Sequence, residues 1–167
     1  MPRAIRVRTV DSITPEIDAF HHQVRQRAYE LSRANGSYDP SDNWLRAERD
    51  LSWRPAVELR RKDDAFVVIA AIAGLEPDQV EIAVTPTDVL VQGDTAHLHT
   101  GDDGEVHLCE FHRGRLFRSV HFPQPIEPDL AKVELKNGLL RITAPLAAAG
   151  RTDGPAEKPR PARKKKS

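Results

Sequence analysis

The sequence lacks the features that would direct it into or across a membrane. No apolar run is long enough to span a bilayer, and the chain does not open with the charged and apolar segments of a secretion signal. Its single cysteine, Cys109, cannot form an internal disulfide, which suits a reducing compartment. These absences predict a cytoplasmic protein with no membrane partner.

Signatures of common enzymes are missing too. Neither G-x-x-x-x-G-K nor G-x-G-x-x-G follows a predicted strand, and Cys109 has no identifiable base for nucleophilic catalysis. The best candidate metal ligands form one cluster: His97, His99, His107, Cys109 and His112. The cluster lacks the C-x-x-C and H-E-x-x-H spacings of zinc sites, so solvated histidines on a loop are the favoured interpretation. We therefore expect no catalytic residues, no cofactor and no intrinsic metal.

Charge divides the chain into an acidic body and a basic tail. The formal net charge is zero, yet residues 151–167 contain seven Lys and Arg against two acids, a net charge of +5, which leaves −5 on the preceding 150 residues. Residues 147–167 lack apolar periodicity and are predicted to be a disordered tail. A solubilising role is favoured. The alternative is binding of nucleic acid through Lys158–Lys166. Such binding would be weak and salt-sensitive, because no aromatic residues are interleaved there.

Residues 1–54 are predicted to form a helical extension. Thr14-Pro15-Glu16 is typical of a helix start, and Asn35-Gly36 of a helix end. The apolar residues between them recur at helical spacing: Ile17, Phe20, Val24, Ala28 and Leu31. A stripe of this kind needs a partner, which could be the rest of the chain, a neighbouring subunit or an unfolded protein. A second helix is predicted over Ser41–Leu51, capped by Ser41 or Asp42, with Trp44, Leu45, Ala47 and Leu51 facing inward.

Residues 55–146 change to the pattern of a β-sandwich. Short apolar or alternating runs are separated by turn signals, and Asn137-Gly138 is the strongest hairpin signal among them. The predicted strands are Val57–Arg60, Ala65–Ile72, Val80–Val84, Val89–Gln92, Leu116–Phe122, Leu130–Lys136 and Leu139–Ala144. The long polar excursion of residues 93–115 is predicted to carry one more strand, Glu105–Phe111.

The stretch of residues 114–145 resembles the end of the α-crystallin domain of small heat-shock proteins, the Hsp20 family. A Gly-x-x-x-Arg-x-x-x-x-Pro motif is matched by Gly114, Arg118 and Pro123. An Ala-x-x-x-Asn-Gly-Val-Leu hairpin is matched at Asn137, Gly138 and Leu140, while Val133 and Leu139 stand where the family has alanine and valine. The likeness extends back to Pro55. It implies an all-β, immunoglobulin-like sandwich.

The resemblance also implies a function: an ATP-independent holdase of the stress response, which binds non-native client proteins and prevents their aggregation. A sandwich adaptor without general holdase activity is the rival. Self-association as a dimer or larger oligomer is expected, with the Glu105–Phe111 strand crossing to Val57–Arg60 of a second copy. The interface residues implied are Val57, Leu59, Glu105, His107, Cys109, Phe111 and Arg118.

Small heat-shock proteins also use an Ile-x-Ile or Ile-x-Val segment to fill an apolar groove. The usual C-terminal anchor is absent here, and Ile5-Arg6-Val7 has the required form. We expect Ile5 and Val7 to fill the groove, although an untethered arm would also fit the pattern. The groove residues implied are Val80, Ile82, Val84, Val133 and Leu135, and the candidate client or subunit contacts are Ile17, Phe20, Val24 and Leu31.

Overall fold

The computed structural model describes residues 4–35, 39–95, 99, 104–111 and 114–148. Within these ranges two α-helices follow a short first strand, and eight further strands come after them. The helices are α1, Thr14–Asn35, and α2, Pro40–Leu51. The strands are β1 Arg6–Thr9, β2 Ser52–Trp53, β3 Val57–Lys62, β4 Ala65–Ala71, β5 Val80–Val84, β6 Asp88–Asp94, β7 Arg115–His121, β8 Lys132–Lys136 and β9 Leu139–Pro145.

Two sheets face each other, and this confirms the predicted sandwich. One sheet has the order β1-β5-β6-β7-β2 and the other the order β3-β4-β9-β8. Alternate residues of both sheets point into a shared apolar core, and its large, fully buried side chains include Val68, Ile72, Ile82, Leu116 and Ile142. The period of two in the sequence accounts for this packing, because successive side chains on a strand point to opposite faces.

The β8–β9 turn forms where Asn137-Gly138 predicted it. Both residues have positive φ, 52° and 74°, which the type of hairpin favoured by Asn-Gly requires. The Gly138 carbonyl also accepts a hydrogen bond of 2.8 Å from the Ile72 amide, just beyond β4. The turn is therefore tied to the neighbouring chain as well as closing its own hairpin.

The two helices cover the outer face of the five-stranded sheet. A second apolar cluster joins α1 and α2 to Ala83, Leu90 and Phe117, which lie on the face of β5, β6 and β7 opposite the core. The apolar stripe on α1 therefore packs against the sandwich of the same chain. The sequence allowed three possible partners for this stripe, and the sandwich is one of them. The other sheet has no described helix on its outer face.

The second helix differs from the prediction in its start and in one buried position. It begins at Pro40, and Asp39 caps it by accepting a hydrogen bond from the Ser41 amide at 2.9 Å. Leu45 was predicted to face inward, yet it is 53% exposed, while Asn43 is buried. The helix is rotated so that Asn43 and Ala47, four residues apart, share the buried face.

The predicted strand Glu105–Phe111 is wrong for the single chain. None of residues 104–111 lies in a strand. Three of their apolar side chains are exposed: Val106, Leu108 and Phe111. A strand needs a neighbour to accept and donate its backbone hydrogen bonds. Among the described residues no strand pairs with this segment, so strand propensity alone does not produce a strand.

Candidate functional site

The N-terminal arm lies along the edge of the five-stranded sheet. Strand β1 pairs in parallel with β5, with Val7 opposite Ile82 and Thr9 opposite Val84. The Val10 amide continues the ladder by donating to the Val84 carbonyl at 3.0 Å. A strand that would otherwise expose its edge is therefore covered by the chain's own first residues.

Polar contacts hold this arm on both sides. The Arg8 guanidinium donates from Nε to Glu81 Oε1 at 2.6 Å and from a terminal nitrogen to Glu16 Oε1 at 3.0 Å. The bonds to Glu81 and then Glu16 raise the pKa of Arg8 above its ordinary value. Thr9 donates its hydroxyl hydrogen to Asp129 Oδ1 at 2.8 Å. All of these groups are partly exposed, and exposed ion pairs contribute little stability.

The groove residues predicted from the sequence come together beneath the arm. Those of β5 are buried in the core, and those of β8 are half-buried against the same cluster: Val80, Ile82, Val84, Val133 and Leu135. Ile5 is also half-buried against this cluster. Val7 points to the same face as Ile82, yet it is 45% exposed at the edge. The structure thus places Ile5 at the groove and Val7 beside it, about half covered.

The candidate contact residues of α1 are covered by the same sheet. Phe20, Val24 and Leu31 are buried, and Ile17 is half-buried in the second apolar cluster. The ring of Phe20 stacks on that of Phe117, with centroids 4.5 Å apart and planes tilted by 20°. Any contact of these residues with another protein requires α1 to leave the sheet.

The opposite edge of the sandwich is open along β3. This strand pairs only with β4 among the described residues, and Val57 and Leu59 are half-buried at the margin of the core. The other interface residues predicted from the sequence lie on the excursion, within residues 104–111, which is not paired with β3 as a strand in the single chain: Glu105, His107, Cys109 and Phe111. Their interface role stays a prediction.

Sequence reasoning missed Val106 and Leu108 on the same excursion. Leu108 is 78% exposed and Val106 nearly half exposed. Their spacing of two residues was visible in the sequence and would place both on one face of an extended segment. Phe111 is exposed as well, so three large apolar side chains within six residues are exposed in the single chain.

Arg118, a predicted interface residue, lies half-buried on β7. Its Nε is buried, and no hydrogen-bond partner for it is found in the described part of the chain. The side chain lines a cavity of about 140 Å³ together with His21, Arg54 and the two stacked phenylalanines. Arg54 is already paired with Glu48 Oε1 at 3.3 Å, and the interface role of Arg118 stays a prediction.

Position 114 requires glycine for a structural reason that the sequence motif did not reveal. Its φ is +85°, and a Cβ at this position would lie 2.7 Å from the carbonyl oxygen of Leu51. The last turn of α2 therefore approaches the backbone just before β7, where Ser52 pairs with Arg115. Only glycine allows this close approach, which is a tertiary contact without a local signal in the sequence.

The histidine cluster is only partly described. His97 and His112 lie outside the described residues, as do residues 149–167 of the tail predicted over residues 147–167. Within the described ranges, no group of three or more His, Cys, Asp or Glu side chains could hold a metal ion. Over the same ranges, neither helix is long and apolar enough to cross a membrane.

A family model described as Hsp20/alpha crystallin family matches residues 58–159. Among curated proteins, the chain is 26% identical over 91 residues to spore protein SP21 of Stigmatella aurantiaca, and the match covers 54% of each chain. It is 25% identical over 116 residues to the 18.1 kDa class I heat shock protein of Oryza sativa subsp. japonica, covering 68% of this chain and 72% of that protein. The chain thus spans about half the length of the spore protein.

Solved structures show the same sandwich. Heat shock protein 16.0 from Schizosaccharomyces pombe superposes with a TM-score of 0.53 at 21% identity, covering 67% of this chain and 99% of that one. A small heat-shock protein from Xylella fastidiosa gives a TM-score of 0.51 at 21% identity, covering 68% and 98%. At these identities the likeness shows the fold.

Proposed function

The chain belongs to the Hsp20/alpha crystallin family, and we propose that it acts as an ATP-independent holdase for partly unfolded proteins. A holdase binds exposed apolar surface on a non-native chain and so slows its aggregation. This task needs adaptable apolar surface rather than a shaped catalytic pocket. We place it in the cytoplasm, where a lone cysteine remains reduced.

The observation that carries the proposal is the way the N-terminal segment covers apolar surface. The arm closes the β5 edge through a four-residue ladder and exposed ion pairs. Exposed pairs of this kind are weak and screened by salt, so the arm can leave without unfolding the sandwich core. Its departure would free both an edge strand and the neighbouring apolar groove. An extended segment of a client can then add main-chain hydrogen bonds to β5 and place side chains in the groove.

The proposal includes self-association through the open β3 edge. A second copy would supply residues 105–111, whose apolar side chains are exposed in the single chain. This pairing would cover the β3 edge, which otherwise invites uncontrolled association. The small heat-shock protein from Xylella fastidiosa is described as having a distinct high order structure, and its sandwich resembles this one.

The aggregation of a heat-labile enzyme, followed by light scattering without nucleotide, tests the proposed activity. The wild-type chain should suppress scattering at a stoichiometric ratio. Replacing both Ile5 and Val7 by alanine should lower the amount needed by about fivefold, because removing half-buried apolar area weakens arm docking by roughly 1 kcal/mol.

Leu139→Ala is the matched control, since Leu139 is also about half exposed but lies on the outer face of the other sheet. It should behave as wild type. A folded wild-type chain that leaves scattering unchanged would support the adaptor role instead. Equal activity of the arm variant and wild type would show that the arm does not limit client access.

A further inference from the structure

The outer face of the four-stranded sheet is basic, although the body of the chain is acidic. Alternate side chains of its strands pack in the core between the sheets, so the positions between them form the outer face. Seven of these outer positions are charged: Arg60, Lys62, Lys132, Lys136 and Arg141 are cations, and Glu58 and Glu134 are acids. This surface, the basic face, therefore has a net charge of +3, whereas residues 1–150 together carry −5.

Apolar side chains run along the middle of the basic face. Val67 and Ile69 lie at outer positions of β4, and Leu139 lies at an outer position of β9, where it is 48% exposed. The strand register sets Val67 opposite Arg60 on β3 and Leu139 opposite Lys136 on β8. Cations therefore flank the apolar line on both sides, which is the arrangement of an interface with an apolar centre and a polar rim.

A cavity of about 190 Å³ opens in the basic face beside the β8–β9 turn. Ile69 and Leu139 line it with apolar surface, and charged side chains complete its lining: Lys136, Arg141 and Glu134. The volume is below the roughly 300 Å³ at which small-molecule sites begin. The cavity therefore suits one apolar side chain of a protein partner, anchored next to two cations.

The terminal segments of the chain are poor occupants of the basic face. Strand β1 carries Arg6 and Arg8 and belongs to the other sheet, and the apolar stripe of α1 is covered by that sheet. Residues 151–167 carry +5, so they are repelled by a surface that is itself positive. The complementary occupant is a negatively charged segment of another protein.

We propose that the basic face docks an acidic protein segment that also carries apolar side chains. Carboxylates of this segment lie against the cations of β3 and β8, where opposite charges attract. One apolar side chain of the segment enters the cavity beside Leu139. The cations determine the charge of the partner, and the cavity determines where along the face the partner is anchored.

A nucleic acid fits the basic face less well than an acidic protein segment. Glu58 and Glu134 lie within the face and would repel phosphate groups. No outer position of the four strands is aromatic, so none of them offers a ring on which a base could stack. The apolar line would also stay uncovered by a phosphate backbone.

Docking on the basic face goes beyond the holdase proposal and is independent of it. Val133 and Leu135 of β8 pack toward the core and the groove, whereas Lys132 and Lys136 of the same strand point to the opposite side. A partner on the basic face therefore leaves the β5 groove free. One chain can bind a client and an acidic partner together.

Fluorescence anisotropy of a labelled peptide of alternating glutamate and leucine, added to the full-length chain at low salt, tests the proposal. The wild-type chain should bind this peptide at least about tenfold more tightly than a lysine–leucine peptide. Lys132→Glu combined with Lys136→Glu should weaken binding of the acidic peptide by about tenfold or more, because attraction becomes repulsion at β8. Arg25→Glu combined with Arg46→Glu is the matched control. It changes the net charge equally at exposed positions of the helices and should keep affinity within about threefold of wild type.

The apolar part of the interface has its own variant. Leu139→Ala should weaken binding of the acidic peptide by about fivefold, because it removes apolar area beside the cavity, and it should leave client scattering unchanged. Tyr29→Ala removes exposed aromatic surface from α1 and should change neither measurement. Circular dichroism confirms that each variant is folded before affinities are compared.

Three results would overturn the proposal. The first is a wild-type chain that shows no preference for the acidic peptide. The second is equal affinity in the two charge-reversed chains, which would assign binding to the basic tail or to net charge alone. The third is a single-stranded oligonucleotide that binds the wild type more tightly than the peptide and fails to bind the Lys132→Glu, Lys136→Glu chain, which would make this face a nucleic-acid site. Client scattering measures the holdase proposal separately.

Discussion

Replacing Gly138 by valine should lower the free energy of unfolding by about 3 kcal/mol or more. Gly138 has a φ of +74°, where a non-glycine residue costs roughly 1–3 kcal/mol. A Cβ there would lie 2.9 Å from the Cβ of Ala73, and crowding of this kind costs roughly a further 1–3 kcal/mol. The melting temperature, followed by circular dichroism, should fall by about 6–12 °C in a chain of this size.

Asn137→Gly is the control for this turn. Asn137 also has positive φ, 52°, but glycine adopts that conformation without strain, so stability should change by less than about 1 kcal/mol. A Gly138→Val variant that melts with the parent would show that the hairpin relaxes into another turn and that the contact with Ala73 is not constraining.

Replacing Phe20 by alanine should release the helices from the sandwich. Phe20 is buried and stacks on Phe117, and truncating a buried phenylalanine typically costs about 3–5 kcal/mol. The helices belong to an apolar cluster separate from that between the sheets. We therefore expect the lost free energy to weaken the docking of the helices on the sheet, while the sandwich stays folded.

Two signals should separate in this variant. Helical circular dichroism should decline at a lower temperature than the β signal, and binding of an apolar dye should rise as Ala83, Leu90 and Phe117 become exposed. Tyr29→Ala removes an aromatic ring from the exposed side of α1 and should change neither signal. One cooperative transition at the wild-type temperature in Phe20→Ala would mean that the helices are not a separable cover.

Local signals in the sequence predicted most of the sandwich. Alternation along β5, β8 and β9 and the positive-φ pair Asn137-Gly138 require only neighbouring residues, and the structure has them in the expected places. The apolar stripe on α1 also predicted a buried face. The stripe did not show which surface this face packs against, because that packing depends on residues such as Phe117, about a hundred positions away.

Features that depend on tertiary or intermolecular contacts were not predictable in this way. The contact between Gly114 and Leu51 has no local pattern. Leu45, predicted to face inward, is exposed and Asn43 is buried, because the start of α2 at Pro40 and the packing of this helix set its rotation. Residues 105–111 have strand propensity, but no described strand of the single chain pairs with them, so the sequence indicated a strand whose partner it could not identify.

Amide hydrogen exchange during client capture is the most direct test of the central claim, that client binding follows release of the N-terminal arm. The measurement compares Arg6–Thr9 with Val80–Val84 in the free chain and in the client-bound fraction. We predict that Arg6–Thr9 loses protection when a heat-unfolded client is bound, while Val80–Val84 stays protected because the client replaces the arm on β5. Full protection of Arg6–Thr9 in the client-bound fraction would contradict the account.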